Sequence, residues 1–213
     1  MPDGCVDLLW RDERFSVAGP DITAANPDLK PGATVLGIRF KPGAATNWLG
    51  LPMTEITGSE VPMAELWGRK AADFAERIGE ASTAREKLHV IQQLLADEVP
   101  RIKRARPDAA AIFEFLNSGT GTESHRIASL RDHLGLSERT LRRRCGEIFG
   151  YAPKILARIL RFQRFQSLAL TDAGEGLVML ALRAGYADQA HLGREIQSLC
   201  GMTAGEFVRQ LTR

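Results

Sequence analysis

The sequence predicts an α+β protein in which a small β-rich N-terminal unit is followed by a helical connector and an all-α domain carrying two helix-turn-helix motifs. Three observations carry this. Up to residue 68 the apolar segments are short and punctuated by Gly and Pro. From Ala71 to Pro100 apolar residues recur at helical spacing. The last third then repeats one pattern about fifty residues further on, the mark of a duplicated structural unit. The expected divisions are 1–68, 69–106 and 107–213, with the two motifs at about 127–150 and 177–201.

In the front unit, Cys5 to Trp10, Phe15 to Ala18 and Thr34 to Phe40 read as strands. Turns such as Gly19-Pro20, Lys30-Pro31-Gly32 and Lys41-Pro42-Gly43 separate them. Trp10, Trp48 and Trp67 are candidates for core packing or for the lining of a small-molecule pocket. In the connector, Phe74 and Ile78 mark one helix, and Leu88, Ile91, Leu94, Leu95 and Val99 mark the next. The stripe Leu88, Ile91, Leu95 suits either an intramolecular core or a dimer seam. Arg101, Lys103, Arg104 and Arg106 then form a basic linker ahead of Pro107.

The physics of one repeat is legible from Ile127 to Gly150. Ile127, Leu130 and Leu134 give a short helix an apolar stripe, and Gly135 ends it with a left-handed cap. Leu136 plugs the turn, and Ser137 is a natural N-cap for a second helix whose first turn holds Glu138. Leu141, Cys145 and Ile148 make its buried side. Arg139, Arg142 and Arg143 are thereby grouped on another face at i, i+3 and i+4. A second helix set across a first, with guanidinium groups on its exposed N-terminal half, fits a DNA major groove, where Arg can donate two hydrogen bonds to guanine.

Pro153 to about Leu170 reads as one long connecting helix, with Pro in its first turn and Ile155, Ile159 and Phe162 along one side. Arg158, Arg161 and Arg164 line another side, where they either meet phosphates or stay hydrated. The second repeat, Leu177 to Gly201, places Leu180 over Leu130, Leu192 over Leu141, Ile196 over Cys145 and Gly201 over Gly150, with Asp188 as one extra residue. Its exposed positions are Gln189, Ala190, Gly193 and Arg194. Gln189 suits adenine and Arg194 suits guanine or a phosphate. Ala190 and Gly193 have little to donate, so the first repeat is expected to carry more of the base readout.

These residues resemble the DNA-binding domain of AraC/XylS-type transcription regulators over about Pro107 to Arg213. Leu136-Ser137-Glu138-Arg139-Thr140-Leu141-Arg142-Arg143 is similar to that family's first recognition helix, and Gly150-Tyr151-Ala152-Pro153 to the element that follows it. Ala184-Gly185-Tyr186-Ala187-Asp188-Gln189-Ala190-His191-Leu192 is similar to its second turn and helix. The resemblance implies DNA contact by Arg139, Arg142 and Arg143, with Ser137 at the helix start, and by Gln189, Ala190, Gly193 and Arg194. Departures are Cys145, Leu192 and Ile196 where phenylalanine is usual, and Ala204 where proline commonly follows Thr203. The front stretch, with Pro2-Asp3-Gly4-Cys5, Gly37-Ile38-Arg39-Phe40-Lys41-Pro42-Gly43 and Glu65-Leu66-Trp67-Gly68, resembles the N-terminal domain of one AraC-type subgroup. More β structure usually precedes that Pro-Asp-Gly-Cys segment, so the start of the sensor is expected upstream of Met1.

Charge agrees with this division. Residues 106–213 hold 15 Lys/Arg against 11 Asp/Glu, a net of +4, whereas residues 1–105 hold 13 against 15, a net of −2. His89, His125, His133 and His191 are the only histidines and all lie outside the β region, so neither a metal site nor a cofactor is expected. Cys5, Cys145 and Cys200 lack C-x-x-C spacing, and no catalytic constellation is found. Met1-Pro2-Asp3-Gly4 does not read as a signal sequence and the run Leu177 to Leu182 is too short for a membrane span, so a cytoplasmic location is expected. The expected function is a non-enzymatic, sequence-specific transcription regulator reading two successive major grooves of double-stranded DNA. Its N-terminal unit would respond to a small-molecule effector or form a homodimer, and RNA polymerase would be a partner of an activator. The rival reading is a protein–protein scaffold or nucleic-acid-docking module without specific readout.

Overall fold

The computed structural model describes residues 2–24, 29–103, 106–118, 123–172 and 174–212. The front sheet has four antiparallel strands, one more than expected, in the order β3-β1-β2-β4: β1 Asp7–Arg11, β2 Arg14–Ala18, β3 Leu36–Arg39 and β4 Glu60–Pro62. β1 and β2 form a hairpin pairing Arg11 with Arg14 across the two-residue loop Asp12-Glu13, whose positive φ angles of 48° and 58° match the right-handed twist of the strands. β4 carries Pro62 at its end and occupies a sheet edge, where a missing N–H is tolerated, and so it escaped the sequence reading. The short helices α1 (Ala45–Leu49) and α2 (Met63–Trp67) were likewise not expected, each being too brief to show a period.

Helices α3 (Arg69–Gly79) and α4 (Ala84–Glu98) pack against this sheet. α4 begins at a capping box in which Thr83 and Glu86 satisfy each other's backbone N–H. Phe74, Ile78, Ile91, Leu94 and Leu95 join Leu8, Trp10 and Val17 in one core. Of the two readings of the α4 stripe, the intramolecular one holds: Ile91 and Leu95 are buried and unavailable as a seam. Trp10 is core, while the half-buried Trp67 meets Phe15 and Phe74 edge-on.

The remaining helices are α5 (Pro107–Ser118), α6 (Glu123–His133), α7 (Glu138–Phe149), α8 (Pro153–Thr171), α9 (Leu177–Ala184), α10 (Gln189–Cys200) and α11 (Ala204–Leu211). They build two cores joined by α8. Leu156, Ala157, Ile159 and Leu160 of its first half pack with Leu130, Leu141 and Cys145, and Phe162, Phe165 and Ala169 of its second half pack with Leu180, Leu192 and Ile196. The apolar positions aligned between the repeats are therefore equivalent in three dimensions.

Candidate DNA-binding surface

The two turns are built from the same hydrogen bonds. After α6, Gly135 N–H donates to Asp132 O (3.2 Å) and Leu136 N–H to Arg131 O (2.9 Å). After α9, Gly185 N–H donates to Leu182 O (3.0 Å) and Tyr186 N–H to Ala181 O (2.9 Å). This is the Schellman arrangement, and it requires the left-handed conformation that Gly135 (φ 60°) and Gly185 (φ 94°) adopt without a Cβ penalty. Each following helix has a side-chain cap. Ser137 Oγ accepts from Thr140 N–H (3.2 Å) and Asp188 Oδ1 accepts from His191 N–H (2.6 Å). The extra residue of the second copy is therefore Ala187, in the turn, and not Asp188 as the sequence repeat implies, because Asp188 takes the N-cap place of Ser137.

On α7, Arg139, Arg142 and Arg143 are exposed together with Ser137. Among the described residues no hydrogen bond or ion pair engages Arg139 or Arg142, and Arg143 reaches only Glu147, at 3.4 Å. Arg144, the fourth arginine of the run, is half-buried and turns inward to Asp108 at 2.7 Å. An open groove of about 860 Å³ runs along this face, lined by Glu138, Arg139, Arg142, Arg143 and Gly146, with Thr54 on its other side. On α10, Gln189, Ala190 and Arg194 are exposed and Gly193 is half-exposed, with open space where a Cβ would stand.

For the α8 arginines both sequence readings give way to a third, in which the side chains fold inward. Arg161 makes a bidentate pair with Glu195 of α10 (Nη2–Oε2 2.6 Å, Nε–Oε1 3.3 Å), and Arg158 Nε lies 3.6 Å from the same carboxylate. Arg164 donates to the carbonyls of Ala184 and Asn117. The reason is the acceptor that α10 supplies: Glu195 sits in the apolar phase of Leu192, Ile196 and Leu199, so its charge needs partners where it is buried. Sequence reasoning missed Glu195, although a carboxylate at a core phase is a visible signal. His191 packs edge-on against Tyr186, and His133 stacks on Phe115.

The front unit also reaches this surface, at the C-terminal ends of both exposed helices. Thr46 Oγ1 lies within hydrogen-bond reach of Glu147 O (3.2 Å) and Ile148 O (3.4 Å), and Thr57 Oγ1, which donates to Met53 O of its own unit (2.9 Å), also lies 3.3 Å from Gly150 O. Ala24 N–H donates to Leu199 O of α10 (2.7 Å). The α7 and α10 carbonyls among these are ones that a helix end leaves without an intrahelical partner. Gly150, at φ 79°, is wedged so tightly that a Cβ would stand 2.5 Å from Thr57 Oγ1 and 2.7 Å from Pro20 Cγ.

Burial pushes the thiol pKa of Cys145 up to about 12 and that of Cys5 up to about 11, with the charge of Asp3 adding to the second. Among the described residues no group of three or more His, Cys, Asp and Glu side chains could hold a metal ion. No described helix is long and apolar enough to cross a membrane.

Fold and surface define a double helix-turn-helix protein with a β-rich front unit. Residues 130–210 match the family described as "Helix-turn-helix domain", and residues 1–62 match one described as "Domain of unknown function (DUF6597)". Among solved structures, apo ToxT from Vibrio cholerae strain SCE256 is similar in fold, with a TM-score of 0.51 and 14% identity over 99% of this chain and 87% of that one. No curated protein matches the sequence. Over residues 130–210 the chain thus resembles a helix-turn-helix domain, which supports a DNA-binding protein, and its likeness to apo ToxT is one of fold.

Proposed function

We propose that the protein binds double-stranded DNA sequence-specifically, laying α7 and α10 into two successive major grooves about 34 Å apart. In this reading Arg139, Arg142 and Arg143 meet base edges, with Ser137 at the backbone. Gln189 and Arg194 supply the second, weaker set of contacts, and Ala190 and Gly193 permit close approach. The observation that carries the proposal is the state of Arg139 and Arg142. Both stand exposed and, among the described residues, unpartnered on a helix whose Arg143 reaches Glu147 and whose Arg144 is held in an ion pair with Asp108.

Regulation then runs through the front unit, whose Thr46, Thr57 and Ala24 contacts hold the ends of α7 and α10. A small molecule or a second copy that favours one seating of the front unit over another would change the availability or angle of both helices. A promoter-bound regulator of this kind meets RNA polymerase if it activates. Selection of the full chain on a random duplex library near 150 mM salt tests the reading, at a stringency where phosphate contacts alone are weak. The expected result is a bipartite site with half-elements about 10 base pairs apart. Weak binding that vanishes with salt and enriches no sequence would favour the scaffold alternative.

A further inference from the structure

We infer that Glu195 is a positioning residue for DNA readout: paired with Arg161, it sets the orientation of α10 on α8 and with it the spacing between the two half-elements that the protein selects. The inference rests on the reading of α7 and α10 as the DNA-contacting helices.

Among the described residues, α8 is the only element that enters both helical cores, so whatever fixes α10 to α8 also fixes α10 relative to α7. Most of that contact is apolar. Phe162, Phe165, Leu192 and Ile196 hold the elements together, but such packing is weakly directional and tolerates small rotations. Arg161 and Glu195 add direction. Their side chains are 11% and 6% exposed, and the guanidinium fork engages both carboxylate oxygens.

Tyr186, from the turn between α9 and α10, donates its hydroxyl to Glu195 Oε1 at 2.9 Å, and its ring lies 4.9 Å from the Arg161 guanidinium. Arg158 and His191 approach Glu195 Oε2 at 3.6 Å and 3.8 Å. One carboxylate is thus tied to the connecting helix, to the turn and to the first turn of its own helix. A buried pair of this kind is weak evidence for stability, since an apolar pair of similar volume packs as well. What the apolar pair lacks is a preferred angle. Neighbouring base pairs differ by only about 3.4 Å, so a small pivot of α10 is enough to blur the choice between adjacent spacings.

The test compares the wild-type chain with the double variant R161M/E195L and with the near-isosteric E195Q, all full length. Each is selected on duplexes in which two half-elements are separated by every spacing from 8 to 13 base pairs, and thermal melting is followed in parallel. The wild type is expected to prefer one spacing. The double variant should melt within a few degrees of wild type yet lose about tenfold of that preference, while keeping its contacts to the first half-element. E195Q, which retains the shape and the Tyr186 contact, should fall between them. Unchanged spacing preference in the folded variants overturns the positioning role. Failure of the wild type to select any bipartite site overturns the two-groove reading, and this inference with it.

Discussion

At the scale of single residues, neighbouring arginines on α7 divide into two kinds by what already engages them. Arg142 has no partner among the described residues, so its guanidinium is free to pair with a base edge, whereas Arg144 is committed to Asp108 at 2.7 Å. Arg142→Ala is therefore expected to weaken specific binding by about 1–3 kcal/mol and relax the preference at one base position, leaving the melting temperature unchanged. Arg144→Ala should do the reverse, lowering stability while preserving the selected sequence. Fluorescence anisotropy on the selected site and on a scrambled one separates the two effects. Equal losses from both substitutions would show that the arginines act only as bulk charge. A second contrast concerns Cys5, whose thiol burial and the neighbouring Asp3 charge push up to about 11. A raised pKa keeps the group protonated at neutral pH, and the thiolate is the reactive form. Alkylation of Cys5 at pH 7.5 should run well below the rate in the denatured chain, measured by mass spectrometry. Rapid modification of the folded protein would show that the Cys5 thiol is reactive despite its burial.

At the scale of elements, α7 and α10 each depend on their start. Ser137 and Asp188 each satisfy a backbone N–H of the first turn, and removing such a cap typically costs about 1 kcal/mol. Ser137→Ala should lower stability by about that amount and loosen the N-terminal turn of α7, which carries Arg139. Denaturant titration reads the first effect and loss of affinity for the first half-element reads the second. A Ser137→Asp variant should restore the cap but place a carboxylate toward a phosphate, recovering stability without affinity. Full recovery of both would mean that Ser137 acts only as a cap. These elements were legible in sequence because their signals are local: Gly at the left-handed turn, Ser137 three residues ahead of the N–H it satisfies, and apolar residues at helical spacing; the cap of α10 was not, since Asp188 read as an inserted residue. The α8 arginines were not. Periodicity showed that Arg158, Arg161 and Arg164 share a side, but that side meets Glu195 and Ala184, and only the fold brings those acceptors to it. Short edge elements such as β4 and α2 were missed for a related reason, since three to five residues carry too little period to register.

At the scale of the whole molecule, the front unit and the helix-turn-helix domain meet through groups that no local pattern announces. Threonine hydroxyls from the front unit lie against backbone carbonyls about a hundred residues away in the chain. A hydroxyl meeting a carbonyl leaves no compositional trace, which is why the resemblance implied two units but gave no account of how one acts on the other. The geometry supplies one: Thr46 and Thr57 stand where the last turn of α7 has unpaired carbonyls, and Ala24 does the same for α10. The front unit thus acts as an external cap for both α7 and α10, and its seating should be felt as fraying or firmness of their last turns. A T46V/T57V variant removes the Thr46 contact and, along with the Thr57–Met53 bond, the longer approach of Thr57 to the C-cap Gly150, while nearly conserving shape. At about 1 kcal/mol for each lost hydrogen bond, amide exchange in the last turn of α7 should quicken by roughly fivefold or more, because 1.4 kcal/mol corresponds to a factor of ten. The last turn of α10, held by Ala24 through its backbone, should exchange as before. Hydrogen exchange read by mass spectrometry on peptides spanning residues 144–151 and 196–202 resolves the two. If both turns quicken together, the front unit has left the surface as a body, and the capping contacts are the latch that keeps it there. If neither changes, the threonines are incidental neighbours and coupling between the units must run through their other contacts, such as those of Tyr151 with Asp21 O (2.6 Å) and of Gln163 with Pro2 O (2.7 Å).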